Sequence, residues 1–174
     1  MGSGIPEMIG AYAANPNSVN RFILLVGDGS MQFNIQELAT VRFQRIPTTI
    51  FVISNGGYSS IKNTQKQFLE ARYAGVDLDS GLWIPELELL ARAYGFEYRR
   101  INSDNMSQLA VEQFMHSAAE AMIVEVDVSP DQVIAPTQGF TSIGEGRFGA
   151  ASLSNMSPEC DWFHSSFEVW FGSR

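Results

Sequence analysis

The sequence predicts an α/β protein with an open, mostly parallel sheet and helices on both faces. Two short apolar runs, 22–26 (FILLV) and 50–53 (IFVI), are rich in β-branched and aromatic residues, and each ends in glycine-containing turn residues. Such runs are typical of strands that are buried on both faces. Between them, apolar residues recur at helical spacing. A strand, a helix and a strand in succession form a βαβ unit, whose strands are parallel and whose crossover is right-handed.

The helices on either side of the first strand have recognisable start signals. The segment 5–14 is predicted to be a helix, because Pro6 lies in its first turn and Glu7 is well placed for the helix dipole. In the helix between the two strands, Asn34 is the predicted N-cap and Glu37 follows three residues later, as in a capping box.

The alternation of helices and strands continues to residue 128. Tyr58 is expected to open the next helix, and residues 62–82 are polar and punctuated by glycines, as in a loop. Within them, DLDSG is expected to be solvated, because it lacks the rest of a calcium-binding loop. The later elements are a helix from Ile84 that stops at Gly95, a strand over 96–101, a helix over 105–118 and a last strand over 121–128. Met106, Leu109, Ala110 and Phe114 are expected to face the core. Glu125 and Asp127 alternate with apolar residues, which predicts a half-exposed edge strand.

Residues 129–174 lack periodicity and are predicted to be an extended tail, which leaves 1–128 as the domain. The tail has too many aromatic residues for a solvated coil, so we expect it to dock on this domain or on a partner chain, or to mark an interaction segment. These aromatic residues are Trp162, Phe163, Phe167, Trp170 and Phe171.

Composition excludes several classes of function. The 174-residue chain has a net charge of −8, which argues against nucleic acid as a partner because phosphate backbones require clustered Lys and Arg. No apolar run approaches the roughly 20 residues that cross a membrane. Cys160 is the single cysteine, which fits a reducing, cytoplasmic location. It is expected to be a structural thiol, since neither His116 nor His164 is an evident partner for a nucleophile.

Two polar turns identify a candidate site. Asp28 follows the first strand and Asn55 follows the second, so both are expected at the carboxyl edge of the sheet, where open α/β sheets bind ligands. A carboxylate and an amide oxygen are hard ligands for Mg²⁺. Glycines beside them allow backbone N–H groups to approach a diphosphate. The residues whose backbone N–H groups are predicted to approach a diphosphate are Gly29, Ser30, Gly56 and Gly57. Each turn alone is more often an ordinary turn than a ligand site.

The pair of turns resembles a known motif. GDGS, followed by Asn55 at 27 residues after Asp28, resembles the GDG…NN motif of thiamine-diphosphate enzymes, with Ser54 in place of the first Asn. The resemblance extends over roughly residues 1–130, through MGSGIPEMIGAY, NIQELATV, NGGYSSIKNTQ and SGLWIPELELLARAYGF. These stretches look like the pyrophosphate-binding domain of acetolactate-synthase-like enzymes. The resemblance therefore implies the thiamine-diphosphate-binding fold, with the N-terminal part of the domain missing from this sequence.

The resemblance also implies a set of site residues. Thiamine diphosphate and Mg²⁺ are the implied cofactors, with Asp28, Asn55 and the backbone carbonyl of Gly57 as metal ligands. The implied cofactor-binding residues are Met1, Gly27, Asp28, Gly29, Ser30, Asn55, Gly57 and Tyr58. Met1 would then be an internal residue beside the aminopyrimidine ring, although it also fits an initiator on a frayed end. Tyr58 fits a packing role equally well, and no residue is assigned a proton-transfer role.

Family enzymes of this type act on 2-oxo acids by decarboxylation or carboligation. The resemblance implies that the activating glutamate comes from a complementary pyrimidine-binding domain or subunit, so the chain is expected to be inactive alone and to work in an oligomer. No flavin site is evident. The alternative is a catalytically inactive module that keeps the fold and uses its aromatic tail for assembly. A different nucleotide diphosphate at the same strand ends is a third hypothesis.

Overall fold

The computed structural model describes residues 1–16, 21–116, 120–132, 137–144, 147–152 and 156–157. The chain divides into two compact units, Met1–Pro130 and Asp131–Arg174. The first unit contains a four-stranded sheet in the order β1-β2-β4-β3, in which all neighbouring strands are parallel. Its strands are β1 (Phe22–Gly27), β2 (Thr48–Ser54), β3 (Glu97–Ile101) and β4 (Ala121–Asp127).

Helices cover both faces of this sheet, which confirms the predicted fold class. The helices are α1 (Gly4–Ala14), α2 (Asp28–Gln32), α3 (Leu38–Phe43), α4 (Ser59–Phe68), α5 (Leu87–Tyr94) and α6 (Gln108–Met115), with 3₁₀ turns at Ile35–Glu37 and Leu78–Ser80. On one face, buried side chains of α1, α3 and α5 pack with Ile50, Val52 and Ile123. On the other face, Phe114 of α6 packs against a cluster that includes Phe51. The expected inward orientation of Phe114 is therefore confirmed.

The predicted edge position of the last strand is wrong. β4 lies between β2 and β3, so it is an interior strand of the sheet. Its acidic residues are explained by polar partners on β3: Glu125 accepts a hydrogen bond from the Tyr98 hydroxyl, and Asp127 forms an ion pair with Arg100 at 2.9 Å. Glu125 and Asp127 therefore alternate with apolar residues because they pair with side chains of β3, and the alternation does not indicate an edge strand.

Asn34 is an N-cap residue, as predicted, although of the 3₁₀ turn Ile35–Glu37, but the predicted capping box does not form. The Asn34 side chain makes no cap hydrogen bond, and its Nδ2 donates instead to the Gly2 carbonyl at 2.7 Å. The Glu37 carboxylate accepts a hydrogen bond from the Thr40 hydroxyl at 2.9 Å. The crossover between β1 and β2 consists of two short helices with a 3₁₀ turn between them, and Asn34 lies immediately before that turn.

Two further predictions fail in the second half of the first unit. Residues 62–68, predicted as loop, belong to α4, which has no buried residue and only two apolar residues, Ile61 and Phe68, among its ten. Met106, predicted to face the core, is 63% exposed because α6 begins two residues later, at Gln108. The predicted end of α5 is confirmed, since Gly95 caps it in the left-handed conformation. The side chains of Leu109 and Ala110 lie outside the described residues.

The second unit contains β structure within the segment predicted to be an extended tail. Its strands pair antiparallel, Thr137–Gln138 (β5) with Met156–Ser157 (β8) and Phe140–Gly144 (β6) with Arg147–Ala150 (β7). Docking of this segment stays a prediction, since its aromatic residues from Trp162 to Phe171 lie outside the described residues, as do Cys160 and His164. Within the described ranges, none of the helices has the length and apolar character that a bilayer crossing requires.

Candidate functional site

Asp28 links the carboxyl ends of β1 and β2. It is the first residue of α2 and is only 1% exposed. Its Oδ1 accepts a hydrogen bond from the Gly29 N–H at 2.7 Å, and its Oδ2 accepts from the N–H groups of Asn55 at 3.1 Å and Gly56 at 2.8 Å. Asp28 and Asn55 therefore lie together at one edge of the sheet, as the parallel pairing of β1 with β2 requires.

Burial disfavours the charge of Asp28, and among the described residues no ion pair compensates it. Burial raises the pKa of the Asp28 carboxyl, while the surrounding backbone N–H groups act in the opposite direction. Within the part of the chain that the structure describes, the ion pairs found do not include Asp28. A buried carboxylate is costly unless a positive charge compensates it. The site is therefore chemically suited to a cation.

The turn after β2 contains the other two predicted oxygen donors, the Asn55 side chain and the Gly57 carbonyl. The Asn55 side-chain oxygen accepts a hydrogen bond from the Gly57 N–H at 3.3 Å, which folds the side chain over its own turn. Gly57 itself is closely covered, since a methyl group built on it would lie 2.0 Å from the Val76 carbonyl oxygen. Only glycine fits at this position, because the Val76 carbonyl oxygen occupies the space that a Cβ would need.

The glycines of the two turns differ in accessibility. A methyl group built on Gly27 or Gly56 would meet nothing within 4 Å, so the backbone there is open to a ligand. A methyl group on Gly29 would lie 2.4 Å from the ring of Tyr58. The N–H groups of Gly29 and Gly56 donate to Asp28, so the predicted contact of these groups with phosphate stays a prediction that requires those bonds to be exchanged.

Tyr58 packs against the first turn. Its ring lies over Gly29, and its centroid is 6.0 Å from that of Phe33, at an interplanar angle of 47°. This arrangement accounts for Tyr58 by packing, and contact with a cofactor stays a prediction. Tyr58 is also the residue immediately before α4, so its backbone joins the site to that helix.

The N-terminal segment lies beside the same turn. The Gly2 N–H donates to the Ser30 hydroxyl at 2.8 Å, and the Gly2 carbonyl accepts from Asn34. Met1 is 71% exposed. The sequence motif identified Ser30, but it did not identify Asn34, whose role depends on a contact with a residue 32 positions away.

A pocket of about 510 Å³ opens at the carboxyl edge of the sheet. It is lined by Asp28, Ser54, Gly56, Tyr98, Arg100, Glu125 and the segment 84–88 that leads into α5. Burial, followed by the hydrogen bond to Glu125, raises the pKa of the Tyr98 hydroxyl, which keeps it a neutral donor. Sequence reasoning did not identify this wall, although Tyr98 and Arg100 on β3 have the same two-residue spacing as their partners Glu125 and Asp127 on β4.

The donor set fits Mg²⁺ better than a transition metal. A carboxylate, an amide oxygen and a peptide carbonyl are hard oxygen donors, which Mg²⁺ combines with phosphate oxygens and water. Among the described residues, no three or more His, Cys, Asp or Glu side chains gather in a metal-binding group. A cation at Asp28 would therefore depend on amide, backbone and ligand oxygens, as a metal–diphosphate complex does.

Comparison with known proteins agrees with this chemistry. The family described as thiamine pyrophosphate enzyme, C-terminal TPP binding domain, matches residues 1–126. The acetolactate synthase large subunit of Cyanidium caldarium is 32% identical over 154 residues, which are 88% of this chain and 24% of that protein. The large subunit from Lactococcus lactis subsp. lactis (strain IL1403) is 34% identical over 136 residues, 78% of this chain and 22% of that protein. The chain thus spans about a quarter of the length of these relatives.

Proposed function

The chain belongs to the thiamine pyrophosphate enzymes as a C-terminal TPP-binding domain of the acetolactate-synthase-like type, and on this premise we propose how its site works. The domain binds the diphosphate end of thiamine diphosphate through Mg²⁺. The protein ligands of the metal are the Asp28 carboxylate, the Asn55 side-chain oxygen and the Gly57 carbonyl. Diphosphate oxygens and water complete the coordination.

One observation carries this proposal: the buried Asp28 carboxylate touches the N–H groups of Asn55 and Gly56. This contact supports the proposal because Asn55 and Gly57 belong to the same short turn as the N–H groups that bond to the carboxylate. A divalent cation at this point would compensate the buried charge and attract a diphosphate to the open backbone at Gly27 and Gly56. No proton transfer is assigned to these residues, which bind and orient the cofactor.

The proposed reaction is decarboxylation or carboligation of a 2-oxo acid. When bound, the cofactor supplies the electron sink for this chemistry, and the protein supplies position and electrostatics. A complementary pyrimidine-binding domain or subunit provides the activating glutamate, so activity requires an assembly larger than this chain. In that assembly the N-terminal segment, held by Ser30, brings Met1 to the pyrimidine side of the site.

Calorimetry on the 174-residue chain, with thiamine diphosphate and Mg²⁺, tests the cofactor site. Asp28→Asn keeps the shape of the side chain but removes its charge, so we expect Mg²⁺-dependent binding to fall by about 100-fold or more. Asp79→Asn, an exposed acidic residue outside the site, is the matched control and should bind like the wild type. Asn55→Ala should weaken binding by about tenfold with unchanged circular dichroism, because it removes one neutral ligand.

Other outcomes identify the competing functions. If the wild type binds no thiamine diphosphate, alone or with a complementary domain, the chain is a fold-retaining interaction module. If ADP or UDP competes equally well, the site belongs to another nucleotide diphosphate. If Asn55→Ala unfolds the protein, Asn55 is a structural residue.

A further inference from the structure

A segment outside the two cofactor-binding turns contacts the turn that contains Asn55 and Gly57. We define it as the 74–82 loop, which contains the 3₁₀ turn Leu78–Ser80. The Val76 carbonyl accepts a hydrogen bond from the Tyr58 N–H at 2.8 Å, and the Val76 side chain is 1% exposed. The same carbonyl oxygen is the atom that would meet a methyl group on Gly57. The loop therefore holds the Gly57–Tyr58 peptide from behind.

The planarity of the Gly57–Tyr58 peptide determines the direction in which the Gly57 carbonyl points. In a trans peptide the C=O of one residue and the N–H of the next lie in one plane and point in opposite directions. Because the Tyr58 N–H points at Val76, the Gly57 carbonyl points away from the 74–82 loop. The direction of the third proposed ligand is thus set by the position of the Val76 oxygen.

Asp77 fixes the position of Val76. Its Oδ1 accepts hydrogen bonds from the Ser80 N–H at 3.0 Å and the Ser80 hydroxyl at 2.6 Å. The Ser80 hydroxyl oxygen in turn accepts hydrogen bonds from the N–H groups of Val76 and Asp77, each at 3.0 Å. These contacts close a compact turn around a single carboxylate, immediately beside Val76.

Asp77 also attaches this turn to α4. Its Oδ2 forms an ion pair with the Lys62 ammonium group at 2.9 Å, and both side chains are largely shielded from solvent. A second tether lies further along the helix, where the Gln65 side chain exchanges two hydrogen bonds with Ala74. α4 begins directly after Tyr58. The turn after β2 therefore leads into α4, α4 contacts the 74–82 loop, and the loop bonds back to Tyr58.

We propose that Asp77 is a positioning residue for the cofactor site: through Val76 it aims the Gly57 carbonyl at the metal. This inference rests on the proposed role of Gly57 as a metal ligand. DLDSG thus has a function that differs from calcium binding and from a solvated loop. The Asp77 side chain bonds to Ser80 and Lys62, and it acts on the proposed metal ligand only through the backbone.

We call the hold of the 74–82 loop on the Tyr58 N–H the clamp. Amide hydrogen exchange in the cofactor-free chain tests it independently of the proposed function. In Asp77→Ala, the Tyr58 amide should exchange about tenfold faster, because its acceptor is no longer held in place. Asp79→Ala removes an exposed carboxylate from the same loop and should leave this rate unchanged. Equal protection of the Tyr58 amide in wild type and Asp77→Ala would overturn the clamp. Circular dichroism identifies any loss of fold.

Titration with Mg²⁺ at a fixed concentration of thiamine diphosphate tests the consequence for the metal. Asp77→Ala should require about tenfold more Mg²⁺ for half-saturation. Ser80→Ala keeps every charge but breaks the turn, so it should shift the midpoint in the same direction, which a purely electrostatic effect of Asp77 would not. If the exchange rate rises but both midpoints stay at the wild-type value, the positioning role is wrong. If the wild type shows no binding, the proposed function itself fails, and the exchange result still decides the clamp.

Discussion

The turns after β1 and β2 end at the same edge of the sheet but are held in different ways. The turn after β1 has a hydrogen bond of its own, because Asp28 Oδ1 accepts from the N–H of the next residue and Asp28 begins α2. We call it the locally held turn, although Tyr58 and Gly2 also contact it. The turn after β2 is fixed from two remote directions, by Asp28 on one side and by Val76 on the other. A motif can therefore name the oxygen donors, while residues outside the motif determine where those donors point.

The largest expected effect comes from adding one carbon to the remotely held turn. In Gly57→Ala the new methyl group would lie 2.0 Å from a backbone oxygen that cannot rotate away. We expect the free energy of unfolding to fall by about 3 kcal/mol, at the upper end of overpacking effects. Denaturant unfolding measures this, and cofactor binding should be lost with it because the loop must move.

Gly56→Ala is the matched control within the same turn. Gly56 has a φ of +78° but open space around it, so the substitution costs only the left-handed conformation, about 1 kcal/mol. Equal losses for the two variants would mean that Val76 does not cover Gly57, and the contrast between the two turns would disappear.

A smaller effect is expected at the locally held turn, where the neighbour is a side chain. A methyl group in Gly29→Ala would lie 2.4 Å from the Tyr58 ring, which can rotate, so we expect a loss of about 2 kcal/mol in unfolding free energy. Combining it with Tyr58→Ala should remove most of that penalty, since the obstacle is gone. A double-mutant cycle on unfolding free energies measures the coupling. Additive losses would contradict the contact.

What the sequence could predict follows the same division between local and remote determinants. The β1–β2 unit and the end of α5 at Gly95 were predictable, because apolar runs, turn residues and a capping glycine are local signals. The juxtaposition of Asp28 and Asn55 followed from parallel pairing alone. The roles of Val76 and Asp77 were not predictable in this way, since they depend on a loop that folds back across about 20 residues onto Tyr58.

The errors have a common physical origin. α4 has no buried residue and only two apolar ones, which is too few to identify a helix, although its polar side chains contact the 74–82 loop. β4 appeared half exposed because Glu125 and Asp127 alternate with apolar residues, but Tyr98 and Arg100 on β3 satisfy them. Residues that serve a distant partner therefore look like surface residues when the sequence is considered alone.

The smallest expected effect concerns a third contact at the locally held turn, between Ser30 and the N-terminal segment. Ser30→Ala removes the acceptor of the buried Gly2 N–H, so we expect a loss of about 1 kcal/mol in unfolding free energy and a shifted Gly2 amide resonance. Ser3→Ala is the control, because the exposed Ser3 side chain makes no cap hydrogen bond to α1 and should have almost no effect. If the two variants behave alike, Ser30 does not hold the segment to α2, and the proposed approach of Met1 to the cofactor loses its structural support. A clear difference would show that this turn fixes a neighbouring segment as well as its own carboxylate.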